Sequence, residues 1–143
     1  MSAMRSIEIP GRIRWADSDA AGRLYFPRIF DYVGEAEAEL LRAFRFSRRG
    51  PGDRYDFPRI HVECQFHKVL ALDDPFTLRL AVARLGRTSI RYEFEVRRAD
   101  ADRTLAASGS VTVVVVLDGK PAEIPAPLRA ALKADVVPGS HDE

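Results

Sequence analysis

Two aspartates and a glycine lie close together near the N-terminus and could support chemistry. Asp17 and Asp19 are separated by one residue, and Gly22 follows in the same segment. A carboxylate can attack an electrophilic carbon or activate water as a general base. Short aspartate-rich loops more often cap a turn by accepting backbone hydrogen bonds, and that structural role is the competing interpretation.

An amphipathic helix is predicted directly after this segment. Pro27 suits a first helical position because its φ angle is fixed and it has no N–H. Apolar residues then recur at helical spacing, which predicts a helix from about Pro27 to Arg45. The first turn of a helix exposes N–H groups and a partial positive charge that can stabilise an oxyanion near a carboxylate.

Alternating apolar and polar residues predict five strands around this helix. The first strand is bent at Pro10-Gly11, and the third and fourth form a hairpin. The predicted strands are residues 7–15, 60–68, 76–82, 90–96 and about 104–117. Prolines after Lys120 leave room for only a short helix near residues 128–133 in an extended tail. This order predicts an α+β fold with one antiparallel sheet packed on one long helix.

The whole-chain composition excludes several classes of protein. The chain has 143 residues, which predicts one domain over residues 1–143. The chain has 22 Lys and Arg residues and 21 acidic residues. Its net charge is therefore too small to attract nucleic acid or an anionic membrane by long-range electrostatics. The longest apolar run, residues 113–117, is too short to cross a bilayer. The single cysteine, Cys64, forms no internal disulfide, and a cytoplasmic location is expected.

The segment from Arg12 to Pro27 resembles the signature of the 4-hydroxybenzoyl-CoA thioesterase family. That signature begins with Arg or Gln and a branched residue. After three variable positions come an Asp, a small residue and the catalytic Asp, and a Gly follows after two more variable positions. Residues 12–22 match this spacing throughout. Residues 85–89 and 125–128 are similar to later segments of the family. The resemblance therefore covers about residues 6–132.

The resemblance implies a hot-dog fold, in which five or six antiparallel strands wrap around one long helix. By position, Asp19 matches the catalytic carboxylate, as nucleophile or general base. The backbone N–H of Phe26 matches the amide that polarises the thioester carbonyl. The implied function is hydrolysis of an acyl-CoA by a homodimer or homotetramer with sites at the subunit boundary. Coenzyme A would be part of the substrate, and no cofactor or metal is expected.

Two residues depart from the family pattern. Phe26 stands where members that act on short acyl groups have His, which makes an aromatic acyl group such as 4-hydroxybenzoyl a candidate. Arg23 stands where the family has a branched apolar residue that lines the acyl pocket. Either the pocket is polar or Arg23 points away from it.

Further residues are candidates for substrate binding. Gly22 and Tyr25 belong to the loop that carries Asp19, and Trp15 and Tyr25 could line the acyl pocket or fill the core. Arg84 and Arg87, at the predicted hairpin turn, could bind the phosphates of coenzyme A. The competing interpretation is a solvated charged edge, which is favoured for Lys68.

The remaining polar residues support no second site. His61 and His67 would lie roughly 20 Å apart along a strand, too far to share a metal ion. Cys64 is expected in the core, and Glu35, Glu37 and Glu39 are expected on a solvated helix face. Two alternative functions stay open, a hot-dog dehydratase and a non-catalytic module that binds acyl-CoA or acyl-carrier protein. A dehydratase would require a His beside the carboxylate.

Overall fold

Five antiparallel strands form the main sheet of the protein, which a computed structural model describes for residues 4–43 and 55–133. The order across the sheet is β1-β4-β5-β6-β3, so that β1 and β3 are its edges. Their bounds are Ser6–Arg12 (β1), Arg59–Phe66 (β3), Pro75–Leu85 (β4), Ser89–Arg98 (β5) and Leu105–Val114 (β6). Three short strands, Tyr55–Asp56 (β2), Val116–Leu117 (β7) and Lys120–Pro121 (β8), form a separate ribbon.

One long helix, α1 (Ile29–Ala43), covers one face of the main sheet. Its buried residues join alternate residues of β4 and β5 in one continuous apolar cluster. That alternation follows directly from the period-two pattern of the sequence. The cluster includes Val33, Leu40, Leu78, Phe94 and Val113. A second helix, α2 (Ala126–Lys133), adds Leu128 and Leu132 to the same core.

The predicted α+β arrangement, with one long helix on a five-stranded antiparallel sheet, is confirmed. The predicted hairpin is also confirmed as β4 and β5. The helix α1 begins at Ile29, after a single 3₁₀ turn over Phe26–Arg28 that contains Pro27. The predicted end of that helix, at Arg45, and the tail beyond Lys133 lie outside the described residues.

Three strand ends differ from the prediction because long-range hydrogen bonds determine them. β1 ends at Arg12, and Trp15–Asp17 form a 3₁₀ turn. β3 ends at Phe66, before the predicted Lys68. The last predicted strand is interrupted at Val115, whose backbone bonds to Thr88 and Ala122.

The edge strand β3 is exposed on both faces. Val62, Cys64 and Phe66 share one face as predicted, but Val62 is 44% exposed and Phe66 is 47% exposed. Cys64 is half-buried, and burial raises the pKa of its thiol to about 11. β3 therefore presents an apolar strip at a free sheet edge. None of the helices in the described residues is long and apolar enough to cross a membrane.

Candidate active site

The loop that carries Asp19 is a tight reversal between β1 and α1. Ser18 and Leu24 form an isolated bridge, and the Asp19 N–H donates to the Arg23 carbonyl at 2.7 Å. Gly22 lies between them with φ +79°, a left-handed conformation that favours glycine. This conformation lets the loop turn toward the helix.

Asp17 anchors the loop to the helix. Asp17 is 2% exposed, and its carboxylate accepts hydrogen bonds from the Tyr32 hydroxyl at 2.5 Å and from Arg14 Nε at 3.0 Å. Arg28 Nε lies 3.9 Å from the other carboxylate oxygen. The Asp17 carbonyl also accepts the Tyr25 N–H at 2.8 Å, which closes the loop at its base. Asp17 therefore holds the loop.

The charge on Asp17 is stabilised despite its burial. Burial by itself raises the pKa of this carboxyl, but hydrogen bonds from Tyr32 and Arg14 and the charges of Arg14 and Arg28 outweigh that effect. The net result is a lowered pKa for Asp17. Burial and the hydrogen bond to Asp17 raise the pKa of Tyr32 to about 12. At neutral pH the pair is a carboxylate that accepts a hydrogen bond from a neutral phenol.

Asp19 has the opposite environment. Its side chain is exposed, and its Oδ1 accepts the N–H groups of Ala21 at 2.8 Å and Arg23 at 3.1 Å. These bonds are the turn-capping role that the sequence left open. The second oxygen, Oδ2, has no hydrogen-bond donor among residues 4–43 and 55–133. One oxygen therefore fixes the orientation of the carboxylate while the other is accessible to a ligand.

The Phe26 amide lies at the start of the helical segment. Phe26 is the first residue of the 3₁₀ turn that leads into α1, and it is 63% exposed. Its N–H has no acceptor in the described part of the chain, and the next residue, Pro27, has no N–H. An unpaired N–H at the beginning of a helix can bind an oxyanion or a polarised carbonyl oxygen.

A groove of about 270 Å³ runs beside this amide. One wall comes from the Asp19 loop and the helix start, and the other comes from the segment after β3. Leu24 N–H donates to the Leu70 carbonyl at 2.8 Å, and Leu72 N–H donates to the Gly22 carbonyl at 2.9 Å, which joins the two walls. The lining residues are Arg23, Leu24, Phe26, Phe66, His67, Lys68, Val69 and Leu70. Arg23 is therefore one of the residues that line the groove.

Sequence reasoning missed the contribution of the second wall. Phe66, Val69 and Leu70 were not assigned to the site, and Lys68 was considered only beside Arg84 and Arg87. The segment meets the Asp19 loop through the isolated bridge between Arg23 and Ala71, a tertiary contact with no local sequence signal. His67 also lines the groove, where its Nε2 lies 2.9 Å from Ser108 Oγ.

Arg84 and Arg87 lie at the opposite end of the sheet within one chain. The Asp19 loop packs on residues 70–74, just before β4, whereas Arg84 follows Pro75 by nine residues, roughly 30 Å along the strand. Arg87 lies in the exposed β4–β5 turn, 3.6 Å from Glu123. One chain therefore does not bring these arginines to Asp19.

Trp15 and Tyr25, the aromatic residues proposed for the acyl pocket or the core, are both exposed to solvent. Trp15 is 80% exposed and Tyr25 is 51% exposed, so neither fills the core. The Tyr25 and Phe26 rings are in edge contact, with centroids 5.7 Å apart. Exposed aromatic residues beside a groove are typical of a surface that another molecule covers.

Glu37 was expected on a solvated helix face, and this expectation is wrong. Glu37 is 1% exposed and accepts hydrogen bonds from Arg59 of β3 at 2.7 and 3.1 Å, whereas Glu35 and Glu39 are exposed. The reason is a tertiary contact with Arg59, which follows Glu37 by 22 residues and gives no signal in the periodicity of the helix. Within the described ranges, no three His, Cys, Asp or Glu side chains are grouped to hold a metal ion.

Comparison with known proteins gives consistent matches. A family model described as the thioesterase-like superfamily matches residues 13–132. The acyl-CoA thioester hydrolase YbgC of Escherichia coli is 28% identical over 127 residues, which cover 87% of this chain and 93% of that protein. A 1,4-dihydroxy-2-naphthoyl-CoA hydrolase of Synechococcus elongatus is 32% identical over 91 residues, 59% of this chain and 64% of that protein.

The fold has solved counterparts. The crystal structure of a 1,4-dihydroxy-2-naphthoyl-CoA thioesterase from Synechocystis superposes with a TM-score of 0.81 at 20% identity. The match covers 89% of this chain and 95% of the Synechocystis chain. The hot-dog fold implied by the sequence is thereby confirmed.

Proposed function

The chain belongs to the thioesterase-like superfamily and is a thioester hydrolase, and from this premise we propose that it hydrolyses acyl-CoA with Asp19 as its catalytic carboxylate. The observation that carries the proposal is the junction of loop and helix. There an accessible oxygen of Asp19 and an unpaired N–H of Phe26 lie on the same short segment, beside an apolar groove. The acyl-CoA substrates of the named relatives support the same class.

The proposed reaction begins with the thioester carbonyl bonded to the Phe26 N–H. Asp19 either attacks the carbonyl carbon to form a mixed anhydride or takes a proton from the attacking water. The Phe26 N–H stabilises the oxyanion, the C–S bond breaks, and coenzyme A leaves as a thiolate. In the nucleophilic route, water then hydrolyses the anhydride and regenerates Asp19. No cofactor takes part in either route.

The leaving group explains how the site can work without a His at position 26. A thiol has a pKa of about 8.5, so a thiolate leaves readily and is protonated by solvent. The groove near Phe26 has the size of a small acyl group, and the aromatic substrates named for two relatives favour an aromatic acyl group such as hydroxybenzoyl.

A homodimer would complete the site. β3 has a free edge with exposed Val62 and Phe66, and two copies that pair antiparallel about a two-fold axis would cover it. In that pairing the C-terminal end of β3, at Phe66, lies beside the N-terminal end of β3 of the second copy. The Arg84 and Arg87 turn of one copy would then lie near the groove of the other, where it could bind the phosphates of coenzyme A. Gly22 and Tyr25 would contact the substrate from the loop.

The direct test is hydrolysis of a panel of aromatic, short and long acyl-CoA thioesters, in which the free thiol that each reaction releases is measured. The proposal expects turnover of at least one member, with the highest kcat/KM for a small acyl group. Binding of acyl-CoA without thiol release across the panel would instead identify a non-catalytic binding module. Single turnover in isotopically labelled water separates the two roles of Asp19, because only the anhydride route can leave label in its carboxylate.

A further inference from the structure

Two cations line a groove that is otherwise mainly apolar. Arg23 and Lys68 contribute charge, while the remaining walls are formed largely by apolar side chains such as Leu24, Phe66 and Leu70. No carboxylate lines the groove, and among the residues that the structure describes neither cation has an ion-pair partner. Unpaired cations at an apolar groove create a site that favours an amphipathic anion.

The base of Arg23 is held rigidly next to the catalytic carboxylate. Its N–H donates to Asp19 Oδ1 at 3.1 Å, its carbonyl accepts from the Asp19 N–H at 2.7 Å, and its backbone bridges to Ala71. The opposite wall is held as well, because Lys68 N–H donates to the Ala106 carbonyl at 3.1 Å and Arg98 donates to the Val69 carbonyl. Both cations therefore project from fixed backbone positions.

The volume limits what can occupy the groove. The groove has a volume of about 270 Å³. That volume suits a small acyl group. If the Phe26 amide holds the thioester carbonyl, an acyl group that enters the groove shares it with Arg23 and Lys68.

We propose that the acyl group of the preferred substrate carries a carboxylate, which pairs with Arg23 and is assisted by Lys68. The substrate class is then the monothioester of coenzyme A with a small dicarboxylic acid, aliphatic or aromatic. This inference rests on the proposed function and names its substrate class. It also accounts for Arg23 at a position where the family has an apolar residue.

The first experiment compares substrates that differ in one carboxylate. Glutaryl-CoA is compared with pentanoyl-CoA, and terephthaloyl-CoA with benzoyl-CoA. The wild-type protein should prefer the carboxylated member by about tenfold to a hundredfold in kcat/KM, the range of a hydrogen bond to a charged group. Arg23→Leu should abolish that preference with little loss on the neutral thioesters, and Arg23→Lys should restore part of it.

A matched control removes a cation elsewhere. Arg79 is exposed on the outer face of β4, away from the groove, so Arg79→Gln should leave the preference unchanged. The melting temperature of each variant checks that the exposed substitutions leave the fold intact. An equal kcat/KM for carboxylated and neutral thioesters in the wild-type protein would overturn the inference while the hydrolase function stands.

The phosphates of coenzyme A are a second source of negative charge that Arg23 could bind. A truncated substrate without phosphates distinguishes this source from the acyl carboxylate. Glutaryl and pentanoyl thioesters of N-acetylcysteamine carry no phosphate. The Arg23-dependent preference should persist on this pair. If Arg23→Leu lowers activity on both coenzyme A thioesters and on neither truncated one, Arg23 binds phosphate and the inference is wrong.

A binding measurement keeps the inference separate from the proposed hydrolysis. Stable thioether analogues of glutaryl-CoA and pentanoyl-CoA are titrated by calorimetry against the wild-type protein and Arg23→Leu. Tighter binding of the carboxylated analogue that Arg23→Leu removes supports the inference even if no thioester is hydrolysed. Equal affinities contradict it whatever the turnover.

Discussion

Asp17 and Asp19 carry the same functional group two positions apart, and burial gives them opposite environments. Asp17 is enclosed by Tyr32, Arg14 and Arg28, whereas Asp19 is exposed and bonded through one oxygen to its own loop. The family resemblance singled out Asp19 as the catalytic carboxylate. The partner Tyr32 could not be predicted, because it lies fifteen residues away and only the packing of α1 brings it to the loop.

Replacement of Asp17 should weaken the fold in a pH-dependent way. The pKa of Asp17 is lowered in the folded protein, so its stabilisation is complete above the unfolded value of about 3.9 and is lost as pH falls through the folded pKa. Asp17→Asn should lower the free energy of unfolding at pH 7 by about 1.5–3 kcal/mol. Urea unfolding across the acid range should show this difference shrinking as pH falls.

The control for Asp17 is Asp31, whose carboxylate forms an exposed pair with Arg28 at 3.0 Å. Asp31→Asn should lower the free energy of unfolding by less than about 1 kcal/mol. An equal loss for both variants, or a loss for Asp17→Asn that does not vary with pH, would contradict the anchoring role of Asp17.

The Phe26 amide can be removed by a proline. Tyr25 has ψ 115°, which suits a residue before proline, and the first position of a helical turn tolerates proline. Phe26→Pro should reduce kcat about a hundredfold to a thousandfold, the usual cost of one oxyanion donor. Phe26→Ala keeps the N–H and should change mainly KM, because its ring lines the groove. Equal kcat values for the two variants would exclude the amide from catalysis.

At the scale of elements, strand and helix positions follow from local periodicity, and their ends do not. The alternation in β4 and β5 predicted their buried faces because each pattern is contained in a few residues. The end of β1 at Arg12 and the break at Val115 depend on hydrogen bonds to distant segments, such as Asp74 and Thr88. The groove depends in the same way on residues 66–70, which the fold brings against the Asp19 loop.

Attachment of the edge strand β3 depends on Gly109 in β6. A Cβ at this position would lie 2.1 Å from the Glu63 carbonyl oxygen and 2.8 Å from the Phe94 ring. Gly109→Ala should therefore lower the free energy of unfolding by at least about 1–3 kcal/mol. Gly34→Ala in α1 is the matched control, because its nearest contact is Arg59 Nη2 at 3.9 Å. The free energy of unfolding of Gly34→Ala should rise by about 0.5–1 kcal/mol. Thermal unfolding should therefore show melting temperatures that shift in opposite directions for the two variants.

At the scale of the whole molecule, one chain does not bring all the proposed site residues together. The groove and Asp19 lie at one end of the sheet, and Arg84 and Arg87 lie at the other. The exposed apolar residues of β3 favour a second copy as the completion. The sequence indicated an oligomer through its family resemblance, whereas the position of the free edge follows only from the strand order.

Subunit mixing tests whether Arg87 acts across this interface. Asp19→Asn and Arg87→Ala should each be impaired alone. A hybrid dimer of the two has one site with an intact Asp19 from one chain and an intact Arg87 from the other, so mixing after reversible dissociation should restore activity. Absence of any recovery in verified hybrid dimers would place Arg87 outside the site.

The central claim is that Asp19 performs the hydrolysis, and the kcat/KM of Asp19→Asn tests it most directly. Asparagine keeps the Oδ1 acceptor for the Ala21 and Arg23 amides, so the loop should retain its shape while the carboxylate is lost. Asp102→Asn, at an exposed turn far along the chain, is the control. On the best acyl-CoA of the panel, we expect Asp19→Asn to lose about 10²–10⁴-fold in kcat/KM and Asp102→Asn to match the wild-type protein. Near-normal hydrolysis by a correctly folded Asp19→Asn variant would contradict the account.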